Sequence, residues 1–149
     1  MIKGEFTNFK LIVRDLERSL AFYALFDQKP GAVLEFVDPE ITEVMLEDSA
    51  GVRTLVLLNG DIMPAPAPVP GYAPLVPVVE DVHTAAAEIK AAGYRMKVEP
   101  TDFGPVSLAM VADPDGYLVE LVAGDPDAVQ SPPAGTKIPH PVPHIHEHA

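Results

Sequence analysis

The sequence predicts an α+β fold in which one βαβββ module occurs twice in tandem. Three observations support this prediction: a strand-like segment leads into an aspartate in both halves of the chain, an apolar helical pattern follows each aspartate, and three β-rich runs follow each helical pattern. The matching segments are residues 11–16 and 77–82, which place Asp15 and Asp81 at equivalent positions. A repeat of this size in 149 residues predicts two small modules rather than two independent domains.

The first module begins with a strand over residues 6–13, where the side chains alternate in character along the chain. The two faces of this strand are predicted to carry Phe9, Leu11 and Val13 on one side and Asn8, Lys10 and Ile12 on the other. Asp15 then suits the N-cap of a helix, because its carboxylate can accept hydrogen bonds from the free N–H groups of the first turn. The apolar stripe of this helix comprises Leu16, Leu20, Phe22, Tyr23 and Phe26.

Three strands are predicted after the first helix. The Lys-Pro-Gly run at residues 29–31 ends the helical unit. The β-rich runs then follow at residues 32–37, 41–47 and 53–58. The last two of these strands should form a hairpin, because the Asp-Ser-Ala-Gly run at residues 48–51 consists of residues that favour a turn.

The second module repeats this plan. Its first strand is predicted near residues 73–79 and its helix over 81–92, with Gly93 as the left-handed C-terminal cap. The inward-facing side chains of this helix are predicted to be Val82, Ala85, Ala86 and Ile89. Further strands are predicted near residues 95–99, 106–112 and 117–122. The Asp-Pro-Asp-Gly run at 113–116 predicts a turn between the last two, because proline fixes φ and glycine allows a positive φ.

Proline-rich segments separate and follow the two modules. The predicted boundaries are residues 1–62 for the first module, 63–72 for a linker, 73–124 for the second module and 125–149 for a tail. Alternate prolines in the linker favour an extended polyproline II conformation and forbid a helix. The tail is rich in proline and histidine, and its histidines are His140, His144, His146 and His148. Flexible tracts of this kind bind Ni, Cu or Zn without a defined geometry.

Composition and charge restrict the classes of function. The formal net charge of −12 argues against nucleic acid as a partner, because binding a phosphate backbone requires a positive surface. No apolar run approaches the roughly 20 residues of a membrane span, and the N-terminus lacks the apolar stretch of a secretory signal, so a cytoplasmic protein is expected. The absence of cysteine excludes disulfides, thiolate metal sites and cysteine nucleophiles. A small molecule is therefore the expected partner.

Two motifs resemble the vicinal oxygen chelate superfamily, which includes glyoxalase I, bleomycin-resistance proteins and extradiol dioxygenases. The string Val-Arg-Asp-Leu-Glu-Arg-Ser-Leu-Ala-Phe-Tyr at residues 13–23 is similar to the start of a module of that family, and Asp-Pro-Asp-Gly-Tyr-Leu-Val-Glu-Leu at 113–121 is similar to the end of one. The resemblance covers roughly residues 5–123. It implies a glyoxalase-like fold, in which the modules form a curled mixed sheet around a cleft, and a homodimer.

The resemblance also implies four places for metal ligands, on the first and last strands of each module. These places fall on Asn8, Pro74, Glu120 and either Leu55 or Val56. Only Glu120 is a good ligand among them, because proline, leucine and valine have no side-chain donor and asparagine is a weak neutral ligand. The expectation is therefore a chain without the family metal site and without a cofactor, and a divalent metal held by an atypical ligand set is the alternative.

Several residues are candidates for chemistry or for ligand contact. Glu120 and Lys10 are the candidate catalytic residues, because burial in an apolar cleft would shift their proton affinities toward acid–base use. The residues expected to contact a ligand are Asn8, Ile12, Arg53, Tyr72, Phe103, Met110 and Leu118. Histidine is scarce outside the tail: His83 lies on the second helix, where a surface position is expected.

Three functions from different classes remain open on the sequence alone. The first is a binding protein that sequesters a small, largely apolar or aromatic compound in its cleft, as the bleomycin-resistance proteins do. The second is an enzyme of the same superfamily, a lyase, isomerase or dioxygenase, that uses Glu120 as a base or binds a metal atypically. The third is a scaffold or subunit whose cleft has no ligand. The fold alone does not choose among them.

Overall fold

The computed structural model describes residues 8–61, 71–124 and 133, and for residues 71–74 it describes the backbone. The chain divides into two compact units, Met1–Ala67 and Pro68–Ala149. Each unit contains one four-stranded mixed sheet and one α-helix, in the order βαβββ. The predicted tandem α+β arrangement is therefore confirmed. The predicted linker up to residue 70 and the predicted tail, apart from residue 133, lie outside the described residues.

The first unit consists of β1 (Phe9–Ile12), α1 (Leu16–Tyr23), a 3-10 turn (Ala24–Phe26), β2 (Lys29–Phe36), β3 (Ile41–Glu47) and β4 (Arg53–Gly60). Its strands lie in the order β1-β4-β3-β2. β1 is parallel to β4, and the other neighbours are antiparallel. This order makes β1 and β2 the two edges of the sheet.

The second unit consists of β5 (Gly71–Leu75), α2 (Val82–Ala91), β6 (Met96–Phe103), β7 (Val106–Ala112) and β8 (Tyr117–Gly124). The strand order β5-β8-β7-β6 is the same as in the first unit. β5 is parallel to β8, and the remaining pairs are antiparallel. Each sheet therefore has the same strand order and the same pattern of parallel and antiparallel pairs.

Both helices begin at the predicted aspartates. A carboxylate oxygen of Asp15 accepts a hydrogen bond from the backbone N–H of Arg18 at 3.1 Å. Asp81 accepts one from the backbone N–H of Thr84 at 2.6 Å. Each aspartate satisfies a donor that has no partner within its helix, which is why the helices start there. Helix α2 ends at Ala91, and Gly93, which follows the C-cap residue Ala92, has a φ of 94° and is the predicted left-handed residue.

The tight hairpin turns of the two units are built alike. Asp48 Oδ1 accepts hydrogen bonds from the N–H groups of Ala50 and Val52, both at 2.9 Å. In the second unit, Asp113 Oδ1 accepts from Asp115 N at 2.9 Å and from Tyr117 N at 2.8 Å. Both predicted turns are therefore confirmed, each with a glycine at positive φ in the fourth position.

One part of the core of each unit lies between its helix and one face of its sheet, and further buried side chains, such as Val56 and Met110, lie on the opposite face. In the first unit Leu11, Val44, Leu46 and Leu57 alternate toward α1, and all four are buried. In the second unit Val82, Ala86 and Ile89 of α2 are buried against the sheet, as predicted, while Ala85 is half-buried. The opposite face of each sheet, which we call the helix-free face, carries the polar candidates described below.

The first core differs in detail from the prediction. Phe9 lies on the same face of β1 as Leu11, as predicted, but it is 61% exposed, because it opens an edge strand with a described neighbour on one side. The centre of the helix stripe is Ser19, Phe22 and Tyr23, which are buried, whereas Leu16, Leu20 and Phe26 are half-buried. Positions 19, 22 and 23 have the helical spacing i, i+3 and i+4, so the stripe is rotated slightly from the predicted one.

Strand limits differ from the prediction in places. β2 begins at Lys29, so residues 29–31 open this strand instead of ending the helical unit. An edge strand tolerates Pro30, and the register is irregular between Pro30 and Val33. β4, β6 and β8 run further than predicted, to Gly60, Phe103 and Gly124. The strand expected near residues 73–79 is β5 at Gly71–Leu75, followed by an isolated bridge between Val78 and Val122.

No helix among the described residues is long and apolar enough to cross a membrane.

Candidate functional site

The helix-free face of the first unit has two rows of side chains. Strand register places Lys10, Val56 and Met45 in one row across β1, β4 and β3. The neighbouring row contains Ile12, Leu58 and Glu43. Because β4 lies between β1 and β3, the aliphatic side chains of Val56 and Leu58 form the floor of this face, and both are buried.

The register of the two units establishes which positions are equivalent. Met45 pairs with Val56 in the first unit, and Met110 pairs with Glu120 in the second. Val56 and Glu120 each lie four residues before the glycine that ends their strand, Gly60 or Gly124. Val56 is therefore the structural counterpart of Glu120, and this removes Leu55, which the sequence had left as an alternative.

Lys10 forms an ion pair that the sequence did not predict. Its Nζ donates to both carboxylate oxygens of Glu43, at 2.9 and 3.0 Å. The lysine side chain is 54% exposed and the glutamate side chain 13% exposed. The pair joins β1 to β3 and therefore spans Val56 and Leu58 on β4. Since Lys10 already has a carboxylate partner, its positive charge is neutralised within the first unit.

Glu120 has a different environment on the helix-free face of the second unit. It is half-buried, and its direct neighbour across the ladder, Met110, belongs to an apolar cluster with Val98 and Leu108. Among the side chains described in residues 8–61 and 75–124, none forms a hydrogen bond or ion pair with the carboxylate of Glu120. A carboxylate in such surroundings is available to a ligand, because no described partner has to be displaced.

Some of the other residues predicted to contact a ligand lie near the Lys10–Glu43 ion pair or near Glu120. We call these two places the two centres. Leu118 lies two residues before Glu120 on the same face and is buried, and Met110 is buried beside it. Ile12 is half-buried next to Lys10, and Asn8 precedes β1.

Other predicted contacts lie at the ends of strands. Arg53 is exposed at the start of β4, where it lies opposite Glu47 in the strand ladder. Phe103 ends β6 opposite Val106. The side chain of Tyr72 lies outside the described part of the chain.

His83 takes part in a polar cluster at the surface. Its Nε2 lies 3.5 Å from Asp102 Oδ1, and the Ser107 hydroxyl donates to the same oxygen at 2.7 Å. These interactions, that of Ser107 first and that of His83 second, hold the pKa of Asp102 below its usual range. A surface position for His83 was predicted and is confirmed, but its partner was missed, because Asp102 is brought near by the fold and not by the chain.

The Asp102 cluster gives a pH-dependent prediction. Because the folded-state pKa is lowered, the ionised carboxylate stabilises the fold above the usual aspartate pKa of about 3.9, and this contribution is lost as the pH falls through the folded-state value. Replacing Ser107 with alanine should raise the pKa of Asp102, which a carboxyl-detected NMR titration measures. Ser49→Ala in the exposed turn of the first unit is the control. An unchanged pKa in Ser107→Ala would contradict the assignment.

A family model of the Glyoxalase/Bleomycin resistance protein/Dioxygenase superfamily matches residues 6–121. The chain belongs to this superfamily. The match includes Lys10, Glu43, Met110 and Glu120, so both centres described above lie within the superfamily region. The resemblance drawn from the sequence motifs is therefore confirmed.

Solved structures of superfamily members share the fold. The fosfomycin resistance protein FosX from Listeria monocytogenes, complexed with Mn(II) and sulfate, is 22% identical with a TM-score of 0.63, over 85% of this chain and 97% of that chain. The trypanothione-dependent glyoxalase I from Leishmania major is 24% identical with a TM-score of 0.68, over 81% and 87%. A glyoxalase family protein from Bacillus cereus is 16% identical with a TM-score of 0.69, over 83% and 98%. A comparison with curated proteins found no match.

The metal-ligand places that the superfamily resemblance implies do not hold a complete donor set in this member. Asn8, Val56 and Pro74 occupy three of the places, and Glu120 occupies the fourth. Valine and proline side chains contribute no donor atom. Across residues 8–61 and 71–124, no group of three or more His, Cys, Asp or Glu side chains could hold a metal ion. The described side chains therefore do not fit a divalent ion in that arrangement.

Proposed function

We propose that this superfamily member binds a small, largely apolar or aromatic molecule on its helix-free sheet face, without the metal ion of the superfamily. The observation that carries the proposal is that Val56 occupies the position equivalent to Glu120. The two equivalent positions therefore offer a metal ion one carboxylate instead of two. A single carboxylate holds a divalent ion poorly. The exposed apolar side chains of Val76 and Val78 instead provide area that an apolar ligand can cover, above the buried side chains of Met110 and Leu118.

Metal analysis of the full-length chain tests the metal-free part of the proposal. The protein is purified without a tag after growth with Mn, Ni and Zn salts, and bound metal is measured by inductively coupled plasma mass spectrometry. A matched variant carries glutamine in place of His140, His144, His146 and His148, so that metal held by the tail is removed. We expect less than about 0.1 ion per chain in this variant, far below the single ion of an occupied site. One ion per chain would refute the metal-free proposal.

Thermal-shift measurements test the binding part of the proposal. Aromatic natural products and cationic drugs are titrated against the chain, and a ligand that binds the folded state raises the midpoint with saturating concentration dependence. At a concentration of about 100 times Kd, the stabilisation is about 2.7 kcal/mol. If none of these compounds stabilises the chain in a saturable way, the result counts against the proposal.

The second candidate is an enzyme of the superfamily, a lyase, isomerase or dioxygenase, with Glu120 as a general base or with an atypical metal site. Glu120 favours this candidate, because its carboxylate has no described partner. Mn(II) in the FosX structure gives a reason to include metals in the assay. Glyoxalase turnover is therefore measured with added Mn, Ni or Zn. If turnover occurs, Glu120→Gln should abolish it while ligand affinity is retained, and turnover that survives this substitution would exclude Glu120 as the base.

A homodimer is part of the same proposal, and β2 is the surface that supports it. Residues 29–40 are all exposed, and β2 pairs with no described strand other than β3. Its large apolar side chains include Val33, Leu34 and Phe36, which are 53%, 42% and 47% exposed. A second copy of the chain would cover this edge symmetrically, since the same strand of both copies can pair antiparallel about a two-fold axis.

Sedimentation equilibrium tests the dimer. The natural chain is expected at twice the monomer mass, and the double variant Val33→Glu with Phe36→Glu at the monomer mass, because charges would be buried in the interface. Val52→Glu is the matched control, since Val52 is 57% exposed at the turn before β4 and should leave the mass unchanged. A natural chain at monomer mass would refute the dimer.

A further inference from the structure

The two helix-free faces differ in how their carboxylates are neutralised. By register, Lys10 and Glu43 of the first unit correspond to Val76 and Leu108 of the second, and Val56 corresponds to Glu120. The first face therefore carries a carboxylate together with its own ammonium group. The second face carries a carboxylate, and the position equivalent to the lysine is a valine.

Apolar side chains surround Glu120 on the second face. The pairs Leu75–Val119 and Val78–Val122 have the same offset, so the chain between them places Val76 beside Glu120. Val76 is 54% exposed and Val78 is 75% exposed. Met110 lies on the other side of Glu120 and is buried with Val98 and Leu108, so the carboxylate stands beside a packed apolar cluster. A ligand here would meet apolar surface around one negative charge.

We propose that Glu120 makes this face selective for an organic cation with an apolar or aromatic body, such as a hydrophobic amine. The ammonium group of the ligand would take the place that Lys10 Nζ takes beside Glu43 in the first unit. The ligand body would cover Val76 and Val78, which removes apolar surface from water. The net charge of −12 acts in the same direction, because it raises the local concentration of cations near the chain. This inference rests on the proposed binding function and specifies its ligand class.

Three probes with one aromatic body test the selectivity. They are 1-naphthylmethylamine, 1-naphthylmethanol and 1-naphthoate, which carry positive, neutral and negative groups at neutral pH. Binding is followed by naphthalene fluorescence at low ionic strength, and no tryptophan emission interferes because the chain contains no tryptophan. In the natural chain the amine is expected to bind about 10- to 100-fold more tightly than the alcohol, which is the usual range for a hydrogen bond to a charged group. The naphthoate is expected to bind most weakly.

Two substitutions separate the role of Glu120 from that of the overall charge. Glu120→Gln keeps the shape of the side chain and should bring the amine and the alcohol to within about threefold of each other. Glu88→Gln on the exposed surface of α2 changes the net charge equally and should leave the amine preference intact. An amine preference that persists in Glu120→Gln, or that disappears in Glu88→Gln, would overturn the assignment to Glu120.

The probe series also separates this inference from the proposed function. If all three probes bind the natural chain equally well, binding of an apolar molecule stands and the cation selectivity is refuted. If none of them binds, both proposals fail. Should Glu120→Gln fail to fold, as judged by circular dichroism, the natural chain still decides the matter, because an amine that binds no better than the alcohol refutes the selectivity.

Discussion

Replacing Gly124 with alanine is expected to lower the free energy of unfolding by about 3 kcal/mol, because the residue would combine backbone strain with a collision. Gly124 ends β8 with φ of 106°, a conformation that residues with a side chain rarely adopt. A Cβ atom built there would lie 2.2 Å from the carbonyl oxygen of Pro105. That oxygen belongs to the backbone before β7, so relief of the contact requires a shift of the strand pair.

Gly93→Ala provides the control for this substitution. Gly93 has a similar φ of 94°, but a Cβ atom there would meet no heavy atom within 4 Å. Its cost should therefore be that of the left-handed backbone alone, about 1 kcal/mol. Urea denaturation followed by circular dichroism measures both losses, with the slope m expected to be unchanged. Equal losses in the two variants would show that the close approach to Pro105 contributes nothing.

The same geometry occurs in the first unit and allows an independent repetition. Gly60 ends β4 with φ of 125°, and its Cβ would lie 2.2 Å from the carbonyl oxygen of Glu40. Gly60→Ala should therefore cost about as much as Gly124→Ala. Since equivalent strands in both units end with this contact, the duplication extends to details that neither half of the sequence reveals by its own pattern.

The sequence predicted best those features that depend on short segments. The caps at Asp15 and Asp81 join groups three residues apart, and the turn at Asp113 joins groups two and four residues apart. The residue types alone are sufficient in such cases, because the partners are held close by the chain itself. The order of strands and helices follows from these signals together with the alternation of side chains.

Strand register and the pairings that depend on it could not be predicted in the same way. Lys10 and Glu43 lie 33 residues apart, and only the ladder through β4 brings them together. The equivalence of Val56 and Glu120 also required the observed register, because the turn at Gly51 could be aligned in two ways. A slip of one residue would move every side chain of the strand to the other face. The residues of the candidate site could therefore be named from the sequence, but the residues with which they pair across the sheet could not.

The second large effect is expected at the turn between β7 and β8, where Asp113→Ala should cost about 2 to 3 kcal/mol. Asp113 is 5% exposed, and one of its carboxylate oxygens accepts two backbone hydrogen bonds. Alanine would leave the N–H groups of Asp115 and Tyr117 without this acceptor. Asp115 is only 2% exposed, so water has little access to replace the lost hydrogen bond. A buried donor without a partner costs about 1 to 3 kcal/mol.

Asp48→Ala in the first unit is the matched comparison. Asp48 makes the same two hydrogen bonds, but its partners Ala50 and Val52 are exposed. Water can satisfy these N–H groups after the substitution, so the loss should be about 1 kcal/mol. Urea denaturation measures the two free energies, and amide hydrogen exchange at Asp115 and Tyr117 should accelerate in Asp113→Ala alone. Equal losses at Asp48 and Asp113 would mean that burial does not set the strength of the turn, since the hydrogen bonds are the same and exposure to water differs.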